Sequence, residues 1–340
     1  MINIEQTQIQ EVILHHVSSE EQDVIINQEV IAFQNEDEQE VLKKILLKPF
    51  VLHAQTFEFT HEVDLEYNVL FNLAKSIYEN NEFVTDSGKI ATHLTASSSH
   101  HQIKNGDLFV AKFQHIILKN KSYEALGIYK FEEKDSFVET TTSGSSNSME
   151  FKKGIGTKKP DKACLILFTE EPYTLLIIDS NKETDYWQND FIKQQAKNDF
   201  INNTNNVLTI AKDFITKQVP EDFEVNKTDQ IDLLNRSVDY FKNHETFEKE
   251  EFEQQVFQDE NVIESFRKFD ESFRTKNELS IKNSFEISEQ AVKKQARVFK
   301  SVLKLDKNFH IYIHGDKKLI EQGVEKDGRK FYKVYYEEEK

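Results

Sequence analysis

Leu108-Phe109-Val110-Ala111-Lys112-Phe113-Gln114-His115-Ile116-Ile117, followed by the polar Lys119-Asn120-Lys121-Ser122 and then Tyr123-Glu124-Ala125-Leu126-Gly127-Ile128-Tyr129-Lys130-Phe131, is the stretch on which the fold turns. Both outer runs are rich in aromatic and β-branched residues, and the connector between them is short and polar. That pattern predicts an antiparallel hairpin entered from the turn Asn105-Gly106-Asp107. Upstream, Gln8 to Val17 and Glu21 to Ile26 read as strand-rich, although Leu14, His15, His16 and Val17 could equally begin a helix. Downstream, Ala163 to Phe168 and Tyr173 to Asp179 read as two more, separated by Glu170-Glu171-Pro172. Between these strands, Val63, Tyr67, Leu70, Ala74 and Ile77 recur at a helical period.

Thr140 to Ser148 (Thr-Thr-Thr-Ser-Gly-Ser-Ser-Asn-Ser) offers little to pack and reads as flexible. Phe151 to Lys162 continues it with Lys152, Lys153, Lys158, Lys159 and Lys162, so 140–162 is expected to be a flexible basic loop between strands of one sheet. Past Trp187 the pattern turns helical. Phe200, Thr204, Val207, Ala211 and Phe214 share one face, as do Ile231, Leu234, Val238 and Phe241, and then Val262, Phe266, Phe269 and Phe273. The fold class expected is α+β: an N-terminal mixed antiparallel sheet with helices over 1–180, an acidic helical middle over 181–280, and a C-terminal basic helix followed by a β-hairpin over 281–340. The last hairpin is signalled by Asp327-Gly328 between Val324 and the alternating run Phe331-Tyr332-Lys333-Val334-Tyr335-Tyr336.

The chain has 340 residues, 38% of them hydrophobic, with 27 Phe and 11 Tyr, so a sizeable core is available and disorder is excluded. Its longest apolar run, Ala163 to Phe168, is far short of the roughly 20 residues that span a bilayer. The opening Met1-Ile2-Asn3-Ile4-Glu5 has neither the basic start nor the apolar run of a signal peptide, so a cytoplasmic protein without membrane association is expected. The single cysteine, Cys164, can form neither an internal disulfide nor a thiolate zinc site.

Net charge is −17, which on average repels phosphates; its distribution is uneven. Val219 to Thr275 holds 16 acidic residues against 7 Lys or Arg, and reads as the solvated face of a helical layer. Ala291 to Leu319 inverts this, with 8 basic residues (Lys293, Lys294, Arg297, Lys300, Lys304, Lys307, Lys317, Lys318) against 2 acidic ones. If one helix runs from about Ser288 to Leu303 and reaches Lys304, then Lys293, Arg297, Lys300 and Lys304 form a narrow cationic stripe. Val292, Ala296, Phe299 and Leu303 would occupy another face and dock on the core. Three readings fit that stripe: contact with DNA phosphates, a contact with the acidic helices of the same protein or of a second subunit, or an ordinary solvated face. The lysines at 152, 153, 158 and 159 form a second basic patch that could track a DNA backbone.

Gly154 and Gly156 invite comparison with a phosphate-binding loop, but Gly156 is followed by Thr157 and the required Gly-Lys-Ser/Thr is absent. On a strand His310 and His314 would stand about 13 Å apart, too far to share a metal. His-Glu-x-x-His and Gly-x-Ser-x-Gly are also missing. Asp179 closes a strand without companion carboxylates at a known spacing and reads as a turn or capping residue. No catalytic residue, metal or cofactor is expected.

Several stretches resemble the NdpA/37-kDa nucleoid-associated protein family, particularly its longer members from the Bacteroidetes. They are Val12-Ile13-Leu14-His15-His16-Val17, Gly106-Asp107-Leu108-Phe109-Val110-Ala111, Leu126-Gly127-Ile128-Tyr129-Lys130-Phe131-Glu132 and Asp185-Tyr186-Trp187-Gln188-Asn189-Asp190-Phe191. The C-terminal match runs through Ala291-Val292-Lys293-Lys294-Gln295-Ala296-Arg297, Phe299-Lys300, Leu303-Lys304-Leu305-Asp306, Phe309-His310-Ile311 and Asp327-Gly328-Arg329-Lys330-Phe331-Tyr332-Lys333. In order, these span nearly the whole chain. The resemblance implies a bacterial, cytoplasmic, nucleoid-associated protein that binds double-stranded DNA and is not an enzyme. It also leaves open an acidic interaction module that reaches the nucleoid through a partner such as a DNA-topology enzyme or other nucleoid protein. The aromatic tail from Phe331 to Tyr336 is compatible with a homodimer.

Overall fold

The computed structural model describes residues 2–18, 23–98, 104–143, 146–180, 185–297, 299, 302–313 and 319–338. By contact the chain divides into two compact units, Met1–Lys197 and Asn198–Lys340. The acidic helices and the C-terminal basic region, read separately from the sequence, fall within the same second unit.

The first unit contains, in order, β1 (Ile2–Asn3), β2 (Gln8–Val17), α1 (Glu36–Val51), β3 (Phe57–Phe59), α2 (Val69–Asn80) and α3 (Phe83–Ser97). It continues with β4 (Gly106–Leu118), β5 (Lys121–Phe131), β6 (Asp135–Ser143), β7 (Ser146–Gly154), β8 (Lys162–Leu167), β9 (Thr174–Asp179) and β10 (Gln194–Ala196). Eight of these strands form one antiparallel sheet of order β1-β4-β5-β8-β9-β3-β10, with β2 pairing alongside β1 on the free edge of β4. The predicted hairpin is its centre: Asp107 pairs with Phe131 at one end of β4–β5 and Leu118 with Lys121 at the other.

Both faces of this sheet are covered, which is why its strands read as continuous apolar runs and not as alternating ones. On one face Leu108, Val110, Leu126, Ile128, Cys164 and Ile166 pack with Leu70, Ala74, Ile90 and Leu94 of α2 and α3. On the other, Phe109, Ala111, Tyr129, Ala163 and Leu165 pack with Leu46, Leu47 and Phe50 of α1. Gly127 allows the ring of Tyr129 to fold back over its own strand, since a Cβ there would lie 2.3 Å from the Tyr129 hydroxyl. The predicted helical period from Val63 is realised as α2 only from Val69, and Val63 and Tyr67 are exposed.

His15, on β2, is buried at 1% exposure. Its Nδ1 accepts from the Asn27 amide at 3.2 Å and its Nε2 meets the Ser87 hydroxyl at 3.2 Å, a pattern that suits the neutral ring. Burial lowers its pKa to about 4. An unfolded chain takes up a proton near pH 6.5 that the folded ring refuses until about pH 4. This group's contribution to stability is therefore lost as pH falls through that window, at up to about 1.4 kcal/mol per pH unit. Urea titrations at pH 7 and pH 5 should show a pH-dependent loss that is smaller in His15→Gln; equal losses in both proteins would refute the assignment.

The second unit opens with α4 (Phe200–Asp213), α5 (Val219–Asp222), α6 (Lys227–Asn243), β11 (Thr246–Glu248), α7 (Lys249–Val256) and α8 (Glu260–Lys276). It closes with β12 (Ser284–Glu286), α9 (Glu289–Ala296), β13 (Val302–Leu305), β14 (Phe309–Tyr312), β15 (Ile320–Val324) and β16 (Lys330–Val334). Its core is largely phenylalanine: Phe214 meets Phe257 and Phe266 edge-on at 5.3 Å each, and Phe241 stacks on Phe247 at 5.5 Å. Asn226 caps α6 in a reciprocal capping box with Asp229. The two C-terminal hairpins, β13–β14 and β15–β16, rest on a smaller cluster in which Leu303 and Ile313 meet Ile231 of α6, with Ile320 and Tyr332 alongside. The whole is the α+β fold expected. Among the described residues no helix is long and apolar enough to cross a membrane.

Candidate nucleic-acid interface

The first candidate surface begins on α9. Ser288 caps this helix by accepting from the Ala291 amide, and Ala291 and Val292 are buried against the core of the second unit. Gln295 donates to Asn205 of α4 at 3.2 Å and fixes the helix's rotation. Lys293, Lys294 and the C-cap residue Arg297 are exposed. Cations in this last turn also suit the negative end of the helix dipole.

The predicted helix from Ser288 to Leu303 is corrected here: it ends at Ala296, and Lys304 lies on a strand. The cause is the partner strand. Val302, Leu303, Lys304 and Leu305 pair with Tyr312, Ile311, His310 and Phe309 across a turn in which Asp306 adopts φ 52°. A helix through Leu303 would forfeit that ladder. Lys293, Arg297 and Lys304 therefore do not share one helical stripe, and Lys300 lies outside the described residues.

The ladder gives Lys304 different neighbours. Val302 and Lys304 share the outward face of the hairpin with His310 and Tyr312, while Leu303 and Ile311 turn to the core. Lys307 is exposed in the turn, and Tyr312 is 65% exposed. This mixture of cations and rings escaped the sequence reading; the alternation of Val302 with Lys304 and of His310 with Tyr312 carried the signal. Lys293 reaches Glu289 at 3.4 Å, whereas Lys294, Arg297, Lys304 and Lys307 have no ion-pair partner among the described residues.

The second surface belongs to the first unit. Where a flexible loop was expected over 140–162, β6 and β7 form a regular hairpin from Asp135↔Gly154 to Ser143↔Ser146. Threonine, which reads as loop in a Ser-rich context, is a β-branched residue and suits a strand. Lys152 pairs with Glu139, which holds its ammonium above the usual range, and it also reaches Glu150 at 3.5 Å. Lys158 lies 3.6 Å from Glu133. Lys153 and Lys159 are exposed and have no such partner among the described residues. Lys162 is not part of this surface: it is buried and paired with Asp179.

Asp179 is accordingly neither a capping nor a turn residue in function. It also accepts from Gln188 at 3.3 Å, and it lies on one rung with Lys162 and Lys130 across β9, β8 and β5. Among the described residues no group of three or more His, Cys, Asp or Glu side chains is placed to hold a metal ion.

Compared with curated proteins and with solved structures, the chain matches none. A family model described as NA37, nucleoid-associated protein YejK, matches residues 13–330. A match of that extent, from β2 to the start of β16, makes this chain a member of the nucleoid-associated protein YejK family.

Proposed function

We propose that this protein acts in the cytoplasm, at the nucleoid, by binding double-stranded DNA without sequence preference and without catalysis. Lys293, Lys294, Arg297, Lys304 and Lys307 on the second unit, and Lys153, Lys158 and Lys159 on the first, would contact backbone phosphates. The observation that carries this reading is the set of exposed cations at Lys294, Arg297, Lys304 and Lys307, without ion-pair partners among the described residues, on elements anchored to a core. The net charge of −17 is no obstacle. At about 0.1 M salt, charges beyond about 10 Å are screened, while direct ammonium–phosphate contacts are not. Fluorescence-anisotropy titration of a short duplex at several salt concentrations tests it. Log affinity should fall linearly with log salt, by about 0.9 for each phosphate neutralised. A flat dependence, or no binding by the folded protein, would sink the reading.

A second reading, recruitment of a basic partner protein such as a DNA-topology enzyme, is favoured by one observation. Glu248, Glu250, Glu251 and the buried Glu253 line a cleft of about 600 Å³ around the start of α7, with Lys249, Arg267 and Asn283. A nucleoid partner retained after nuclease treatment would support this reading, and loss of every partner would count against it.

A further inference from the structure

The β6–β7 hairpin has a feature that phosphate contact alone does not use. Its strands are nine residues each, a ribbon about 30 Å long. Along it every described residue is exposed except Gly154, which is half-buried. A two-stranded hairpin with neither face covered is marginally stable in isolation, so this arm gains order from whatever it binds.

The cross-strand register sorts its side chains onto two unlike faces. One face carries Asp135, Phe137 and Glu139 opposite Gly154, Lys152 and Glu150. The other carries Ser136, Val138, Thr140 and Thr142 opposite Lys153, Phe151, Met149 and Asn147. All the acidic residues are thus on the first face, where Lys152 partly neutralises them. Among the described residues the second face holds one charge, Lys153, which has no ion-pair partner there, beside three exposed apolar side chains: Phe151 at 79%, Met149 at 65% and Val138 at 46%. Toward the tip it carries only hydroxyl and amide groups, which can hydrogen-bond to phosphate, sugar or base edges.

We propose that this second face of the β6–β7 arm lies in the minor groove of duplex DNA and that Phe151, backed by Met149, wedges between base pairs and bends the duplex. The proposal rests on the DNA-binding reading above and adds a mode of engagement to it. Apolar wedges that unstack a base step are a general means by which arms and sheets hold a bent duplex. The ribbon presents the parts such contact needs: a ring free to insert, a cation beside it, and carboxylates turned to the opposite face. A face made to bury itself on another protein has less use for the Ser, Thr and Asn side chains that fill the tip.

The test uses the full chain and a short duplex labelled at both ends for energy transfer, with a fluorescent adenine analogue inside it. Wild type should bend the duplex by about 20–90°, seen as increased transfer, and should brighten the analogue as a base step unstacks. Met149→Ala/Phe151→Ala changes only exposed side chains and removes no cation. It should keep the salt dependence of binding while both optical signals return to those of free DNA. Binding by wild type with neither signal would overturn the wedge and leave the DNA-binding reading intact. Signals unchanged in the variant would do the same, as would loss in the variant of a wild-type dimer seen by sedimentation, which would make the face a subunit contact. Absence of any anisotropy change with wild type would overturn both proposals.

Discussion

Reversing Lys294, Arg297, Lys304 and Lys307 to Glu together is expected to weaken duplex binding by about 10³-fold at 0.1 M salt, since each lost phosphate contact removes about 0.9 decade of affinity per decade of salt. The slope of log affinity against log salt should become shallower by about 3.6 for the same reason. These four residues are exposed and unpaired among the described residues, so their reversal breaks no internal ion pair. The buried side of the same elements, Ala291, Val292 and Leu303, is untouched, and the thermal unfolding midpoint should hold. Lys293 is left in place because Glu289 already competes for it. The comparison is informative in both directions. A variant that binds as wild type does, with the same slope, would remove α9 and β13 from the interface. Reversing Lys153 and Lys159 would then show whether the first unit carries the contact alone.

How far these features could be read from the sequence varied with the physics behind each. The β4–β5 hairpin was legible because long runs of β-branched and aromatic residues separated by a polar connector have few alternatives. The helices α4, α6 and α8 were legible because their phenylalanines and aliphatic residues recur at 3.6. The end of α9 was not, because Phe299 and Leu303 continue the helical period of Val292 and Ala296 while Leu303 and Leu305 also fit a strand. The choice was made by the partner strand that begins at Phe309, outside the helical period itself. The β6–β7 arm was missed for the opposite reason: its Ser and Thr residues make no core, so only backbone pairing reveals it. Lys162 reads from the sequence as one more cation of a basic loop, and Lys130 as an ordinary member of a strand run. Their burial follows from Tyr186, whose ring lies 5.7 Å from one ammonium and 5.3 Å from the other.

That cluster carries the largest expected effect on stability. Asp179→Ala should destabilise the first unit by about 3–5 kcal/mol, the usual consequence of stripping one member from a buried ion pair. Lys162 is 2% exposed at its side chain and Asp179 is 5% exposed, so water cannot replace the lost carboxylate. Lys130, on the adjoining strand, is as deeply buried; burial holds its ammonium below the usual lysine range, against the pull of Glu132 at 2.9 Å. The variant therefore takes from the Lys162 ammonium, beside the Tyr186 ring, the carboxylate that faces it across the β8–β9 rung. Gln188 loses its acceptor as well. Replacing both members, Lys162→Met with Asp179→Leu, removes the ammonium together with its carboxylate and should recover most of the loss, since apolar pairs often match buried ion pairs. Trp187 is the sole tryptophan, fully buried in the first unit, so its fluorescence follows the unfolding of that unit. Urea titrations read at Trp187 should rank wild type and the double variant close together, with Asp179→Ala well below both. A single variant within about 1 kcal/mol of wild type would mean the pair is solvated. A double variant no better than the single would mean that packing around Asp179, and not its charge, supports the strand ends.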